Sequence, residues 1–429
     1  FTLRQLSTLV MEFADAVRMV LIQLGMTGIQ LKPEQRKVLG HAAAKQHVFG
    51  VLPTGFGKSL CYGLLPSIFD QMMGETNSLV LVICPLLALI MDQLAVWRAR
   101  GLVCAATFED GALLGMDKVK ILFSSPEKIL SKEWWGLLQS APIQARMRAI
   151  VLDEVHCMTR WGQEFRPAYL EMPRLRAIFT QAPVVALTAT LTESLLQETL
   201  KRLHLAAEEV KVIAALPDRP NIHLNLEVVK SSDFDKLDWV VTEVKANPLQ
   251  APKTIIYVRS IEVAAEMWAY FTTTLGQKVY EALGLGRQSN NRIVEMFHGS
   301  TEAEKKEVIL ERFQEDGLLR VVISTVAFGM GVNIQDIRNV IMWGPPKDLM
   351  LTQQEIGRCA RDGGEGKAII YITPRSTSLR LIDADMKSAI ALMKTQCVRV
   401  TLLQHFILPG LTLSGFQKPV NCCTFCDRH

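Results

Sequence analysis

The chain has 429 residues, 49% apolar and 21% charged, with a net charge of +4. That length exceeds what one hydrophobic core sustains, so two or more domains are expected. The apolar fraction excludes disorder over most of the chain, and the slight positive balance permits a nucleic-acid partner without demanding one. The most apolar run, "LVLVICPLLALIM" at 79–91, is interrupted by Pro85 and falls short of the roughly 20 residues a membrane span needs. With no signal peptide in view, no membrane partner is expected. The location expected is intracellular: the nucleus in a eukaryote, the cytoplasm in a bacterium. The sequence starts at Phe1 rather than methionine and reads as a fragment.

Short β-branched runs alternate with helical patterns. The first set is "HVFGVLP" (47–53), "LVLVICP" (79–85), "VKILFSSP" (119–126), "AIVLDE" (149–154) and "VVALTAT" (184–190). Continuous apolar strands of this length belong in parallel sheets covered on both faces, joined by βαβ crossovers. A linker reading falls on "LPDRPNIHLNL" (216–226), which has two prolines. The second set follows: "TIIYVRS" (254–260), "RVVISTVAFG" (320–329), "NVIMWGPP" (339–346) and "KAIIYITP" (367–374), with a loop insertion at 276–291. The fold class expected is α/β: two tandem parallel-sheet domains, 1–215 and 216–378, then a small helical module over 379–429.

Two stretches carry chemistry. "VLPTGFGKSLCYGLLP" (51–66) runs from a strand through a glycine turn into a helix. That is the context of a phosphate-binding loop, in which backbone N–H groups and the helix dipole favour an anion. Gly55 and Gly57 permit close approach, Lys58 suits the β- and γ-phosphates, and Ser59 suits Mg²⁺. The first glycine of the general pattern falls on Leu52. Downstream, "VLDEVH" (151–156) ends a strand in paired carboxylates. Asp153 is placed to contact Mg²⁺ and Glu154 to orient an attacking water.

An Asp-Glu-x-His tetrad after such a loop resembles superfamily 2 helicases, in which the loop normally lacks its first glycine. The RecQ family is the nearest resemblance, and its motifs occur in order over nearly the whole chain: "LKPEQ" (31–35), "LPTGFGKSLCY", "CPLLALIMDQ" (84–93), "SPEKIL" (125–130), "DEVHCMTRWGQEFRPAY" (153–169), "ALTAT" (186–190), "DRPNI" (218–222), "TVAFGMGVN" (325–333) and "QEIGRCARDG" (354–363). This resemblance implies two RecA-like domains that hydrolyse ATP with Mg²⁺, translocate 3′ to 5′ on single-stranded DNA and unwind duplex DNA; single-stranded and forked DNA are the expected partners, and the fragment itself is expected to be a monomer. Lys32, Gln35, Thr54, Gly55, Phe56, Gly57, Lys58, Ser59 and Gln354 are then expected around ATP, with Gln35 reading adenine through its amide. The catalytic group comprises Lys58, Asp153, Glu154, His156 and the arginine fingers Arg358 and Arg361, three apart on one helical face. Trp161, Phe165 and Arg166, from the aromatic-rich loop, are expected on DNA bases, and Arg219, Ser324, Thr325 and Arg338 on its phosphates. Two rivals stand beside this reading: an RNA helicase or remodeller of the same superfamily, and a nucleic-acid-binding module without catalysis.

Of nine cysteines, Cys397, Cys422, Cys423 and Cys426 crowd the tail. Cys423, Cys426 and His429 fit a C-x-x-C-x-x-H pattern and with Cys397 make a tetrahedral Zn²⁺ set, leaving Cys422 as an alternative. RecQ proteins usually have a fourth cysteine where His429 stands. Three further departures are "YVRSI", where Arg259 substitutes in a shifted position; Cys359-Ala360 in place of Ala-Gly between the motif VI arginines; and Gly63 in place of glutamine. The sequence ends at this module, and the winged-helix domain of many relatives is expected to be missing from it.

Overall fold

A computed structural model describes residues 11–109, 115–160, 167–230, 233–277, 291–315, 317–325, 334–374, 376–378 and 380–429. The chain divides into two compact units. The first is Phe1–Pro217 with Ile407–Thr412, and the second is Asp218–Phe406 with Leu413–His429.

Seven parallel strands form the first sheet: β1 (His47–Val51), β2 (Leu79–Ile83), β3 (Cys104–Ala106), β4 (Ile121–Ser124), β5 (Met147–Leu152), β6 (Val184–Thr188) and β7 (Val210–Ala214). Their order is β3-β4-β2-β5-β6-β1-β7. Central strands such as β2 and β6 are buried at every position, as the continuous apolar runs require. Val38 and Leu39 of the helix Pro33–Ala43 and Ile68 and Phe69 of the helix Leu65–Met73 pack in one core with Val48, Val82 and Val151. Each such side chain contributes about 1.5–3 kcal/mol by leaving water.

Six parallel strands make the second sheet: β8 (Ile222–Val228), β9 (Lys253–Tyr257), β10 (Val294–Phe297), β11 (Val321–Ser324), β12 (Ile337–Trp343) and β13 (Gly366–Ile372), in the order β10-β11-β9-β12-β13-β8. Its core joins Ile256, Met267, Phe271, Ile323, Ile341 and Trp343. Here the linker reading of 216–226 is corrected. The segment "IHLNLEV" is β8, an edge strand paired to β13 along its length. Ile222, Leu224 and Leu226 turn inward while His223, Asn225 and Glu227 stay partly exposed, the period-2 pattern of a half-covered strand. The tail extends this edge, since Leu224 and Cys423 form a parallel bridge.

One close approach explains a departure noted above. At Gly63, an added Cβ would lie 1.7 Å from Cζ2 of Trp97, which is itself 1% exposed. The indole fills the volume that a side chain at 63 would need. Gly63→Ala is therefore expected to destabilise the first unit by about 1–3 kcal/mol through overpacking. Trp97→Phe, which removes the clashing benzo ring, should recover part of that loss when the two are combined. Urea unfolding of the two single variants and the double variant checks both statements.

Candidate nucleotide site and cysteine cluster

The glycine turn follows β1 directly. Leu52 is fully buried in the core, and its N–H donates to the Thr188 carbonyl at 2.9 Å, so this position belongs to the sheet and not to the loop. Gly55 and Gly57 lie at φ +75° and +84°, where side chains are strained. A Cβ at Gly57 would also lie 2.7 Å from Nε2 of Gln35. Gln35 is 2% exposed. Its Nε2 donates to the carbonyls of Phe56 (2.8 Å) and Gly57 (3.1 Å), and its Oε1 accepts from the Lys32 N–H at 2.8 Å. In this structure the amide is thus spent on the loop's own backbone, not turned outward toward a base. Lys32 Nζ sits 3.9 Å from the centroid of Phe56, so three of the expected nucleotide residues form one brace beneath the loop. Thr54, Lys58 and Ser59 are half-buried around it.

Opposite the loop, the Asp153–His156 stretch leaves the end of β5, separated from β1 by β6 alone. Lys58 Nζ stands 3.7 Å from Glu154 Oε1, which brings the loop lysine and the second acid together. Asp153 is 8% exposed. Burial, with Glu154 adding to it, pushes its carboxyl up to about 7 against the pull of Lys58 and His156. The Glu154 backbone is left-handed at φ +48°, and its N–H donates to Asp153 Oδ1 at 3.0 Å. His156 Nδ1 lies 2.9 Å from Thr188 Oγ1 and 3.3 Å from Glu154 Oε2, tying the acids to the end of β6.

Within the second unit, the helix Leu349–Ile356 carries Gln354, half-buried, and stops just before the two arginines. Arg358 and Arg361 are therefore not on one helical face, as spacing suggested. Gly357 caps the helix, and Ala360 turns into the left-handed region at φ +46°. The Arg361 Nε donates to the Gly357 carbonyl at 3.1 Å.

Four cysteine sulfurs converge near the chain end. Those of Cys397, Cys422, Cys423 and Cys426 all lie within 4.8 Å of one another. Cys397 is the residue preceding the helix Val398–Gln404, and the other three come from the tail segment that makes one bridge to β8 and then turns.

Residues 32–199 match the DEAD/DEAH box helicase family, and residues 235–363 match the helicase conserved C-terminal domain. The chain is 32% identical over 377 residues to "Probable ATP-dependent DNA helicase RecS" of Bacillus subtilis, covering 86% of this chain and 69% of that protein. The chain belongs to the RecQ family of superfamily 2 helicases. With the ATP-dependent DNA helicase RecQ of Haemophilus influenzae it shares 29% identity over 91% of its own length and 60% of the relative's. Among solved structures, the DUF1998 helicase MrfA bound to DNA superposes with a TM-score of 0.65 at 16% identity, over 89% of this chain and 50% of that one, a likeness of fold.

Set within the RecQ family, several assignments from sequence change. His429 is not among the clustered ligands. Its ring stacks on Phe425 with centroids 4.3 Å apart, and its Nδ1 lies 3.0 Å from the Phe425 carbonyl, while Cys422 takes the fourth place. The thiols of the neighbouring residues Cys422 and Cys423 both lie in the cluster. Ser324 is fully buried, and its hydroxyl is engaged by the carbonyls of Phe297 (2.7 Å) and Thr325 (2.6 Å). Arg338 pairs with Asp362, with Nη1 to Oδ1 at 2.7 Å, and this contact pulls the Asp362 carboxyl down to about 2. Arg219 donates to the carbonyls of Cys359 (3.2 Å) and Ala360 (2.6 Å), and Arg259 donates to those of Pro345 and Ser376. These arginines hold backbone. Thr325 is half-buried at the end of β11. Trp161, Phe165 and Arg166 lie outside the described residues, as do 326–333 of motif V and most of the 276–291 insertion.

Sequence reasoning passed over Asn221, Thr188 and Arg399. Asn221 stood inside a presumed linker, Thr188 served only as a motif marker, and Arg399 sat in a tail read for its cysteines alone. The signal for Arg399 was an arginine two positions after Cys397 in a mostly apolar helix; it is 2% exposed. The cluster geometry generates a direct test. Cys422→Ser should lower metal bound per chain to well under half of the unmutated level, whereas His429→Ala should leave it unchanged, as measured by atomic absorption.

Proposed function

We propose that the chain is the motor core of an ATP-dependent DNA helicase. The observation that carries this is the approach of Lys58 to Glu154 at 3.7 Å, where the glycine turn after β1 faces the acids after β5. RecQ membership supplies the substrate class. Lys58 pairs with the β- and γ-phosphates of ATP, and Glu154 orients the water that attacks the γ-phosphorus, with His156 and Thr188 fixing its carboxylate. Arg358 and Arg361 serve as arginine fingers for the charge that develops on the transferred phosphoryl group. Gln35 and Lys32 set the conformation of the loop, and Gln35 is the adenine reader once its amide is released. Turnover drives 3′ to 5′ movement along single-stranded DNA and the opening of forks. The bases are gripped by the aromatic loop with Trp161, Phe165 and Arg166.

Two metals suit the residues present. A buried carboxyl with a raised pKa is relieved by a cation, so Asp153 and Ser59 would hold Mg²⁺, which neutralises phosphate charge when bound. Tetrahedral Zn–S bonds of about 2.3 Å place sulfurs about 3.8 Å apart. The pairs Cys397–Cys422 and Cys397–Cys423 stand at 3.7 Å, so the cluster fits Zn²⁺ as a structural, four-thiolate site.

The test is steady-state ATP hydrolysis with single-stranded DNA or RNA of equal length. DNA should stimulate turnover and RNA should not. Glu154→Gln should lower kcat by about 10²–10⁴-fold, the usual loss on removing a positioned base, with ATP binding retained. Equal stimulation by RNA, or a Glu154→Gln variant of undiminished kcat, would refute the proposal.

A further inference from the structure

The segment between the two motif VI arginines is held by two residues of the stretch that leads into β8, Arg219 and Asn221. Ala360 is fully buried and lies at φ +46°, a conformation an alanine does not hold unaided. Its carbonyl accepts from Arg219 Nη2 at 2.6 Å and from Asn221 Nδ2 at 3.1 Å. The same Arg219 nitrogen reaches the Cys359 carbonyl at 3.2 Å, and the same Asn221 nitrogen reaches the Gly364 carbonyl at 2.6 Å. Asn221 also accepts through its own carbonyl from the Gly366 N–H at 3.0 Å. Every carbonyl that the Arg219 and Asn221 side chains reach lies in the turn from Cys359 to Gly364, which contains Arg361 and directly follows Arg358. From behind, the clamp is fixed by Arg399. Its Nη1 donates to Asp218 Oδ1 at 2.6 Å and to the Arg219 carbonyl at 3.0 Å.

Arg361 directly follows Ala360, so the Ala360 dihedrals set the direction in which Arg361 leaves the turn. Relaxing Ala360 to a negative φ would swing the 360–361 peptide and carry the guanidinium with it. The donors from 219 and 221 grip the carbonyls that such a swing would move. We propose that Arg219 and Asn221 are positioning residues for ATP hydrolysis: they hold the left-handed Ala360 turn and thereby aim Arg361. The inference rests on the reading of Arg361 as a finger. It replaces the expectation that Arg219 contacts DNA phosphate. Because fingers act on the transition state, loss of aim appears in kcat and leaves the KM for ATP nearly unchanged.

The experiment compares Asn221→Ala, Arg219→Lys, Ala360→Gly, Arg361→Ala and the double variant Asn221→Ala/Ala360→Gly in DNA-stimulated ATP hydrolysis, with thermal midpoints measured on the same samples. Asn221→Ala is expected to lower kcat by about 10–100-fold, the scale on which a misplaced group acts, with KM within about threefold. Ala360→Gly should restore at least part of that kcat, because glycine takes the left-handed turn without the clamp. A variant with wild-type kcat per folded molecule and only a lowered thermal midpoint overturns the proposal, as does a kcat loss that Ala360→Gly does not relieve. Should Asn221→Ala fail to fold, Arg219→Lys decides: a kcat loss at constant KM supports the proposal and a wild-type kcat overturns it. Wild-type turnover in Arg361→Ala refutes the finger reading itself. An inactive Arg361→Ala beside a fully active Asn221→Ala refutes the clamp alone.

Discussion

Every strand in both sheets pairs in parallel with its neighbours. Parallel strands covered on both faces tolerate almost no charge along their length, so polar chemistry is driven to their ends. With all directions equal, the ends carrying β1, β5 and β6 into their loops share one edge of the first sheet, and functional residues gather there. Lys58, Asp153, Glu154, His156 and Thr188 meet for this reason although 130 positions separate the first from the last. The same constraint explains the raised pKa of Asp153. A carboxyl at the mouth of such a sheet is desolvated by the apolar strands beneath it and crowded by its neighbour Glu154.

The second unit uses its polar groups differently. Its arginines are mostly turned onto backbone carbonyls or onto a single carboxylate. Arg219, Arg259 and Arg399 each reach two or more carbonyls, and Arg338 takes Asp362. A guanidinium has five donors in a rigid fork, which suits it to gather loop carbonyls that no strand can satisfy. Turns that link parallel strands leave many such carbonyls near the surface, and leaving them buried without partners is costly. Basic residues in these loops are consequently poor guides to a phosphate-binding surface.

What could be read from the sequence follows that division. Fully buried strands such as β2, β6 and β9 announce themselves as apolar runs, and the glycine turn and the acid pair announce themselves by residue type. Edge strands do not. In β8, polar His223, Asn225 and Glu227 alternate with the apolar residues, directly after two prolines, and so resemble a linker. In β7, Lys211 is exposed, while β3 is three residues long. At the sites, spacing identified the cysteine tail but not its fourth member. C-x-x-C-x-x-H is a sequence regularity, whereas the choice between Cys422 and His429 depends on which side of a bridged segment faces Cys397. Likewise Leu52 and Gly63 are visible in the sequence as departures, but their physical roles are not. In three dimensions one belongs to the core and the other makes room for Trp97.

Ala360 shows how far neighbouring structure overrides a local preference. Holding a non-glycine residue left-handed costs roughly 1–2 kcal/mol. Intramolecular hydrogen bonds contribute about 0.5–1.5 kcal/mol each, and four converge on this turn from Arg219 and Asn221. Their sum, roughly 2–6 kcal/mol, covers the strain even at the low end. The donors act only if they are themselves fixed, and that requirement reaches to the tail. Arg399 donates to the Cys422 carbonyl at 3.3 Å as well as to the clamp, and the Leu224 N–H donates to that same carbonyl at 3.2 Å. The cysteine segment therefore closes the open edge of β8, the strand that starts directly after Asn221. An alanine can stand between the two arginines because the outer edge of the sheet is sealed by a segment more than fifty residues further along the chain.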